Sequence, residues 1–251
     1  MSDTPDLRPT LIRPDWQAPA NVQALVTTRE TGPSQQGYAA FNSALHVGDN
    51  ADHVALCRRL LSKEIGDERP LLWLDQVHGA RVQQQVQVGV PEADAAVAAD
   101  GSYACVVMTA DCLPVFFCDR QGTRVGVAHA GWRGLAGGVL EAAVAAMNVP
   151  AESLLVWLGP AISKAQFEVG PEVYQAFVTV HQEAAEAFDP SPYRLGHYMA
   201  DLYRLARVRL ERLGVSHISG GHFCTASESR FYSYRRDGGA TGRMASMIWL
   251  R

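Results

Sequence analysis

Three segments place a metal-binding side chain where an apolar, strand-like stretch meets a turn. WLDQVHG carries His78, TADCLP carries Cys112, and VGVAHAGWRG carries His129. Such junctions are a usual location for functional groups on a rigid scaffold. Two imidazoles and one thiolate form a ligand set for catalytic zinc, which keeps a fourth position for water or substrate. The same donors also suit copper. A water bound there would have its pKa lowered toward neutrality and could serve as a nucleophile.

A metal-free site is the alternative for the same residues. Cys112 would then be the nucleophile, one histidine its base, and Asp111 or Asp75 the group that orients the base. The three segments are far apart in sequence, so spacing does not separate the two hypotheses.

Asp111 and Cys112 interrupt the apolar run VVMTADCLPVFF. In a regular strand, adjacent side chains face opposite sides. Either Asp111 has a supporting or structural role, or the strand breaks and both side chains reach the site. Pro114 makes a strand end plausible here.

Candidate side chains for binding an anionic substrate lie beside His129 and in three other segments. Arg133 stands among glycines at the start of a predicted helix, where backbone amides and a guanidinium could hold an anion. The spacing matches neither a Walker A loop nor a dinucleotide fingerprint, and tight packing explains the glycines equally well. The remaining candidates for substrate or phosphate binding are Arg29, Asn42, His46 and Arg243.

Two further pairs of residues near the C-terminus are weaker candidates for a functional site. Solvation at the surface explains Arg235 and Arg236, so we expect Arg29 or Arg243 to bind phosphate in preference to them. His222 and Cys224 could form a second metal pair, which is the less favoured interpretation of this segment.

The elements that must position these residues are short strands and a few amphipathic helices. Strands are predicted at Val22–Thr28, Leu71–Leu74, Arg81–Val88, Val106–Thr109, Val115–Cys118, Arg124–Ala128, Leu154–Leu158 and Met247–Leu250. Helices are predicted at Asp52–Ser62, after Gly134, and over the segment ADLYRLARVRLERLGV that ends at Gly214. Strands and helices alternate irregularly, which favours a mixed or antiparallel sheet. No linker-like stretch is visible, so we expect one domain over residues 1–251.

Composition excludes several classes of protein. The 251 residues carry a net charge of -4, which gives no electrostatic reason to expect a nucleic-acid or membrane partner. No apolar run approaches the roughly 18 residues of a membrane span, and the N-terminus lacks the pattern of a signal peptide. We therefore expect a cytoplasmic protein that is a monomer or a weak homo-oligomer. Its five cysteines contain no CxxC pair, which argues against a disulfide framework or a zinc ribbon.

Several ordered blocks resemble the signatures of the YfiH-like family. This family is also catalogued as multicopper polyphenol oxidase (laccase) proteins and as purine nucleoside phosphorylases. The blocks are LDQVHG, MTADCLPV, AHAGWRGL, LGPAIS with FEVG, and FYSYRRDGGATGRMAS, and the match covers about residues 22–250. The resemblance implies a single α+β domain in which mixed β-sheets are flanked by helices, akin to the cytotoxic necrotizing factor catalytic fold. It also implies that His78, Cys112 and His129 form one zinc cluster.

The resemblance implies three different activities. One is phosphorolysis of adenosine, inosine and methylthioadenosine, with adenosine deamination. Another is hydrolytic editing of peptidoglycan precursors, with the same His/Cys/His site attacking a carbonyl. The third is copper-dependent phenol oxidation, which the absence of any His-x-His pair among eight histidines disfavours.

We predict a zinc enzyme that acts on purine nucleosides and inorganic phosphate, with the editing hydrolase as the second choice. Proton donation to the departing base would come from a zinc-bound water, His129 or Asp111. The motif of zinc cytidine deaminases is absent, so any likeness to them is in chemistry alone. A closed zinc site in a non-enzymatic interaction module is the remaining alternative, and it predicts a fourth protein ligand and no pocket.

Overall fold

The strands and helices are described in a computed structural model for residues 7–66 and 68–251. The strands in these residues are β1 (Leu11–Ile12), β2 (Val22–Thr27), β3 (Leu71–Leu72), β4 (Val82–Gln83), β5 (Ala95–Ala98), β6 (Ala104–Thr109), β7 (Leu113–Asp119), β8 (Val125–Ala130), β9 (Leu154–Leu158), β10 (Glu168–Val169), β11 (Phe188–Pro190), β12 (Tyr198–Ala200), β13 (His217–Gly220) and β14 (Met244–Leu250). The helices are α1 (Ala51–Ile65), α2 (Trp132–Ala136), α3 (Val139–Met147), α4 (Pro171–Val178), α5 (Leu202–Arg212) and α6 (Tyr234–Asp237).

Two mixed sheets form the centre of the molecule. One has five strands in the order β1-β2-β14-β6-β3, and the other has six in the order β13-β9-β7-β8-β5-β4. Most neighbours are antiparallel, but β3 runs parallel to β6, β13 to β9 and β4 to β5. A small sheet, β10-β12-β11, shares no strand pairing with either, and its Val169, Phe188 and Ala200 pack in the same cluster as the six-stranded sheet. The prediction of mixed sheets is confirmed.

The five-stranded sheet is covered on both faces. In β6, Ala104 and Val106 pack in a cluster with residues of α1, whereas Cys105 and Val107 pack in the layer between the two sheets. All six residues of β6 are buried. A strand covered on both faces needs apolar side chains on both, which explains why its sequence is continuously apolar and does not alternate.

The six-stranded sheet repeats this arrangement against the other helices. Val115 and Phe117 of β7 pack with helices α2–α5, whereas Phe116 and Cys118 face the layer between the sheets. Phe116 meets the ring of Trp157 edge to face, with the ring centroids 5.3 Å apart. The order of layers is therefore α1, five-stranded sheet, six-stranded sheet, and helices α2–α5. The two sheets share one apolar layer, so the chain forms a single α+β domain with helices flanking the sheets, as predicted.

The boundaries of individual elements depart from the sequence patterns in two informative places. The strand predicted at Arg81–Val88 is reduced to β4, and the side chain of Val88 is fully exposed. The alanine-rich helix is divided into α2 and α3 at Gly138, whose φ of +93° is left-handed. By contrast, β9 is observed as predicted, and the side chain of Asn50 caps α1 by accepting from the amides of Asp52 and His53. In the described part of the chain, no helix has the length and apolar character needed to cross a membrane.

The layer between the sheets can be tested by a cavity-forming substitution. Phe116 is fully buried, so we expect Phe116→Ala to lower the free energy of unfolding by about 3–5 kcal/mol. Equilibrium unfolding of the metal-free protein in guanidinium chloride measures this change. Val88→Ala is the control on an exposed side chain, with an expected change within about 0.5 kcal/mol. Similar losses for the two variants would contradict the packing described above.

Candidate metal centre

Three elements bring His78, Cys112 and His129 together. His78 lies in the loop between β3 and β4, Cys112 in the short connection between β6 and β7, and His129 in β8. The antiparallel register of β7 and β8 pairs Pro114 with His129, which places the imidazole beside the start of β7. The potential ligand atoms of the three residues all lie within 4.8 Å of one another. Cys112 Sγ is 3.9 Å from His78 Nε2.

The glycines of HAGWRG allow this close approach. A Cβ atom on Gly131 would lie 2.8 Å from Cys112 Sγ and 2.9 Å from His78 Cδ2. A Cβ atom on Gly134 would lie 2.9 Å from the carbonyl oxygen of Gly79. Gly131 and Gly134 lack a side chain because α2 packs closely against the loops that carry His78 and Cys112.

Asp94, which the sequence patterns did not single out, lies behind the two histidines. Its side chain is fully buried. Oδ1 lies 2.8 Å from His129 Nδ1 and accepts the amide of His78 at 3.0 Å. Oδ2 accepts the amides of Gly79 at 2.6 Å and Val77 at 3.2 Å. The available signal was a carboxylate in the otherwise apolar stretch ADAAVAA, where β5 was not predicted.

Cys112, His129 and Asp94 form a charged group in the absence of metal. Burial alone would raise the pKa of the Cys112 thiol, but the charge of His129 and hydrogen bonds from His129 and His78 lower it to about 6. Burial would lower the pKa of His129, whereas Cys112 and Asp94 raise it to about 9. Burial would raise the pKa of Asp94, and its hydrogen bonds with His129 and the loop amides lower it. The thiolate is thus available at neutral pH, and His129 must release a proton before it can bind a metal.

Asp111 lies where the strand breaks. β6 ends at Thr109, and Asp111 has a left-handed φ of +89°. Its Oδ1 accepts from Thr225 Oγ1 at 2.6 Å, and its Oδ2 accepts from the backbone amide of Arg235 at 2.7 Å. The break lets both Asp111 and Cys112 line the same cavity. The carboxylate of Asp111 also joins the C-terminal segment to the site.

The metal-binding group opens into a cavity of about 530 Å³. Its lining includes aromatic, cationic and amide side chains as well as the three candidate ligands. These residues are His46, Gln76, His78, Met108, Thr109, Ala110, Asp111, Cys112, His129, Trp132, Arg133, Ile162, Phe167, Tyr234, Arg235 and Arg243.

The remaining substrate-binding candidates lie outside this lining. Asn42 is buried, donates to Asp49 Oδ2 at 2.9 Å, and accepts from the amide of Arg243 at 3.0 Å. Arg29 forms an ion pair with Asp237 at 3.0 Å. The structure therefore places Arg235 at the cavity, although the sequence analysis ranked it below Arg29.

The other C-terminal candidates have partners of their own. The guanidinium of Arg236 donates to the carbonyl oxygens of Thr225 and Phe231. Cys224 Sγ accepts from Ser163 Oγ at 3.0 Å, and the ring of His222 lies against that of Phe223. Within residues 7–66 and 68–251, the group close enough to share a metal ion is His78, Cys112 and His129, without His222 or Cys224.

The lowered pKa of Cys112 gives a prediction for the metal-free protein. Alkylation of Cys112 by iodoacetamide should rise with pH through a midpoint near 6, because the thiolate is the reactive form. Mass spectrometry of the peptides measures the rate at each cysteine. Burial raises the pKa values of Cys57, Cys105 and Cys118, so these thiols are internal controls that should react slowly at neutral pH. Excess zinc should protect Cys112, and a midpoint near the ordinary value of about 8.5 would contradict the charged group.

Comparison with known proteins places the chain in a family. A family model described as multi-copper polyphenol oxidoreductase laccase matches residues 23–251. A Pseudomonas aeruginosa protein named as a purine nucleoside phosphorylase is 54% identical over 241 residues, which cover 96% of this chain and 98% of that protein. An Escherichia coli protein named purine nucleoside phosphorylase YfiH is 47% identical over 247 residues, again 96% and 98% of the two chains.

A solved structure agrees with these sequence matches. The crystal structure of a Neisseria meningitidis protein superposes with a TM-score of 0.91 at 51% identity, and the match covers 96% of this chain and 98% of that one. The fold and the resemblance inferred from the sequence blocks are thereby confirmed. The chain belongs to the multi-copper polyphenol oxidoreductase laccase family, which includes the YfiH proteins.

Proposed function

We propose that this protein is a zinc-dependent purine nucleoside phosphorylase that also deaminates adenosine. The observation that carries the proposal is the opening of the His78, Cys112 and His129 group into a cavity that also holds aromatic and cationic side chains. The names of the Pseudomonas and Escherichia coli relatives support the substrate class.

The donor set fits zinc better than a multi-copper centre. Three protein ligands that include two imidazoles and a thiolate match a catalytic zinc site with one open position. A multi-copper oxidase needs several such ligand groups, and the described residues supply this single trio. Zinc held by these residues would supply a Lewis acid at the edge of the cavity.

Three aromatic side chains provide surfaces for a purine. Trp132, Phe167 and Tyr234 all line the cavity. Stacking of a base on an aromatic side chain contributes about 1–3 kcal/mol. The cavity volume of about 530 Å³ lies within the usual range of about 300–1,000 Å³ for small-molecule sites. This volume suits a nucleoside together with inorganic phosphate.

Arg243 is the principal candidate for phosphate binding. Its Nη1 donates to the carbonyl oxygens of Thr241 and Gly242, which fixes the guanidinium at the cavity wall. Burial lowers the pKa of Arg243, but an arginine stays charged in proteins. Arg133 and Arg235 add positive charge to the same cavity. Charge-assisted hydrogen bonds to phosphate are stronger than neutral ones, so these cations favour an anionic co-substrate.

Two other lining residues have supporting roles in this proposal. Burial, followed by the positive charge of Arg243, lowers the pKa of His46. His46 is therefore neutral near pH 7 and contributes hydrogen bonding without charge. Asp111 accepts a hydrogen bond from Thr225 on one carboxylate oxygen and from the backbone amide of Arg235 on the other. We therefore assign Asp111 to holding the cavity wall in place.

The products formed from adenosine test the proposal. Zinc-loaded protein is incubated with adenosine, with and without inorganic phosphate, and the products are separated by chromatography. We expect adenine and ribose 1-phosphate only when phosphate is present, and inosine in both cases. Cys112→Ala should abolish both metal binding and turnover, whereas Cys224→Ala, outside the cavity lining, should retain them. If adenosine is untouched and a serine-bearing cell-wall precursor is cleaved, the protein is instead an editing hydrolase.

The phosphate site gives a separate kinetic prediction. Arg243→Gln removes a hydrogen bond to a charged group worth about 1.5–3 kcal/mol. We expect the KM for phosphate to rise roughly 10–100-fold, since each 1.4 kcal/mol is about tenfold. Steady-state rates at varied phosphate and saturating nucleoside measure the change. Arg59→Gln on the exposed face of α1 makes the same change in net charge and should leave the KM within about twofold. An unchanged KM in Arg243→Gln would remove Arg243 from the phosphate site.

A further inference from the structure

Asp94 contacts both elements that carry a candidate histidine ligand, namely β8 with His129 and the loop with His78. Oδ1 faces His129 Nδ1 at 2.8 Å, and Oδ2 faces the loop amides of Gly79 and Val77. The side chain is fully buried, so water does not compete for these contacts. One carboxylate thus connects β8 to the loop between β3 and β4.

The contact with His129 sets which ring nitrogen faces the metal. An ionised carboxylate only accepts hydrogen bonds, so Nδ1 of His129 must carry the proton. The lone pair of neutral His129 is then on Nε2, the nitrogen available to the shared centre. Carboxylates that hold metal-binding histidines in this way fix the tautomer and the orientation of the ring.

The contacts with the loop set the position of His78. Its backbone has a left-handed φ of +61°, which an L-residue keeps only when its surroundings impose it. Three consecutive amides, of Val77, His78 and Gly79, point at the Asp94 carboxylate. At the other side of the loop, the Gln76 side chain donates to the carbonyl of Met108 at 2.8 Å and accepts from its amide at 2.7 Å.

We infer that Asp94 is a positioning residue that fixes both histidine ligands at once, so that metal affinity depends on its carboxylate. The inference rests on the metal site of the proposed function and not on the nucleoside substrate. It makes Asp94 a necessary part of the centre although its contacts do not include a metal-facing atom.

Asp94→Asn tests the inference because asparagine has the same shape as aspartate but carries one NH₂ group. In either orientation of the amide, this NH₂ group disturbs the position or the tautomer of one histidine ligand. With NH₂ at the Oδ2 position, a donor faces the amides of Gly79 and Val77, and the loop that carries His78 must shift. With NH₂ at the Oδ1 position, His129 Nδ1 must accept, which moves the ring proton to Nε2 and blocks metal binding there. Loss of an outer partner of this kind typically costs 10–100-fold in metal affinity.

Asp119→Asn is the matched control in the same sheet. Asp119 is a buried carboxylate at the end of β7, and it accepts from the amides of Thr123 and Arg124 at 2.7 and 2.8 Å. Like Asp94 it is a buried carboxylate that holds loop amides, here those of the turn that directly follows it, but it lacks a histidine partner.

Zinc affinity is measured for both variants and wild type by competition with a chromophoric chelator, after circular dichroism has shown that each is folded. We expect zinc affinity to fall 10–100-fold in Asp94→Asn and to stay within about twofold in Asp119→Asn. Wild-type affinity in a folded Asp94→Asn protein would overturn the inference. An equal loss in Asp119→Asn would also overturn it, because the effect would then follow from any buried carboxylate.

A measurement on the wild type decides the question if Asp94→Asn fails to fold. In protein loaded with ¹¹³Cd²⁺ and labelled with ¹⁵N, nuclear magnetic resonance should show metal coupling to His129 Nε2 and a slowly exchanging proton on Nδ1. Coupling to Nδ1 would overturn the inference. Failure of the wild type to bind either metal would overturn both this inference and the proposed zinc requirement. Binding without purine turnover would overturn the proposed nucleoside activity alone.

Discussion

A polar atom on a strand that is covered on both faces is costly to bury unless a hydrogen-bond partner in the protein satisfies it. The two stacked sheets impose this condition on most of the central strands. Where a polar residue does occur in such a place, its partners identify what it does. His129 on β8 and Asp94 beside β5 satisfy each other, and the amides of the His78 loop complete the carboxylate's hydrogen bonding. The metal centre is thus built into the packing of the six-stranded sheet and is not attached to its surface.

The cavity is rich in positive side chains, whereas the net charge of the whole chain is negative. The protein has a net charge of -4, yet Arg133, Arg235 and Arg243 all line one cavity beside a thiolate and a carboxylate. The negative side chains there are already committed, Cys112 to the histidines and Asp111 to Thr225 and the amide of Arg235. The three guanidinium groups, of which those of Arg235 and Arg243 also donate to backbone carbonyls, outnumber these two negative groups, so the cavity favours an anion.

The central strands and the three candidate ligands could be predicted from the sequence because each has a recognisable local pattern of residues. β9 is a bounded apolar run, and His78, Cys112 and His129 each end or interrupt one. Asp94 was missed because β5 is a short alanine-rich strand in which Val97 alone is β-branched, whereas several such residues mark most strands. Local pattern also favoured Arg29 over Arg235, whereas tertiary ion pairing and the position of α6 decide which of them reaches the cavity. Contacts between segments that are distant in sequence cannot be predicted from the residues within a short stretch of the chain.

The position of β14 has a consequence for the order in which the protein acquires its function. This last strand lies in the interior of its sheet, between β2 and β6, and Arg243 directly precedes it. Segment 225–235, which Asp111 holds at the cavity, also follows all three candidate ligands in the sequence. A chain emerging from the ribosome therefore carries all three candidate ligands before it has a complete cavity wall. Closure of the cavity is thus separated in time from synthesis of the ligand group, because non-local contacts form only once both segments have been made.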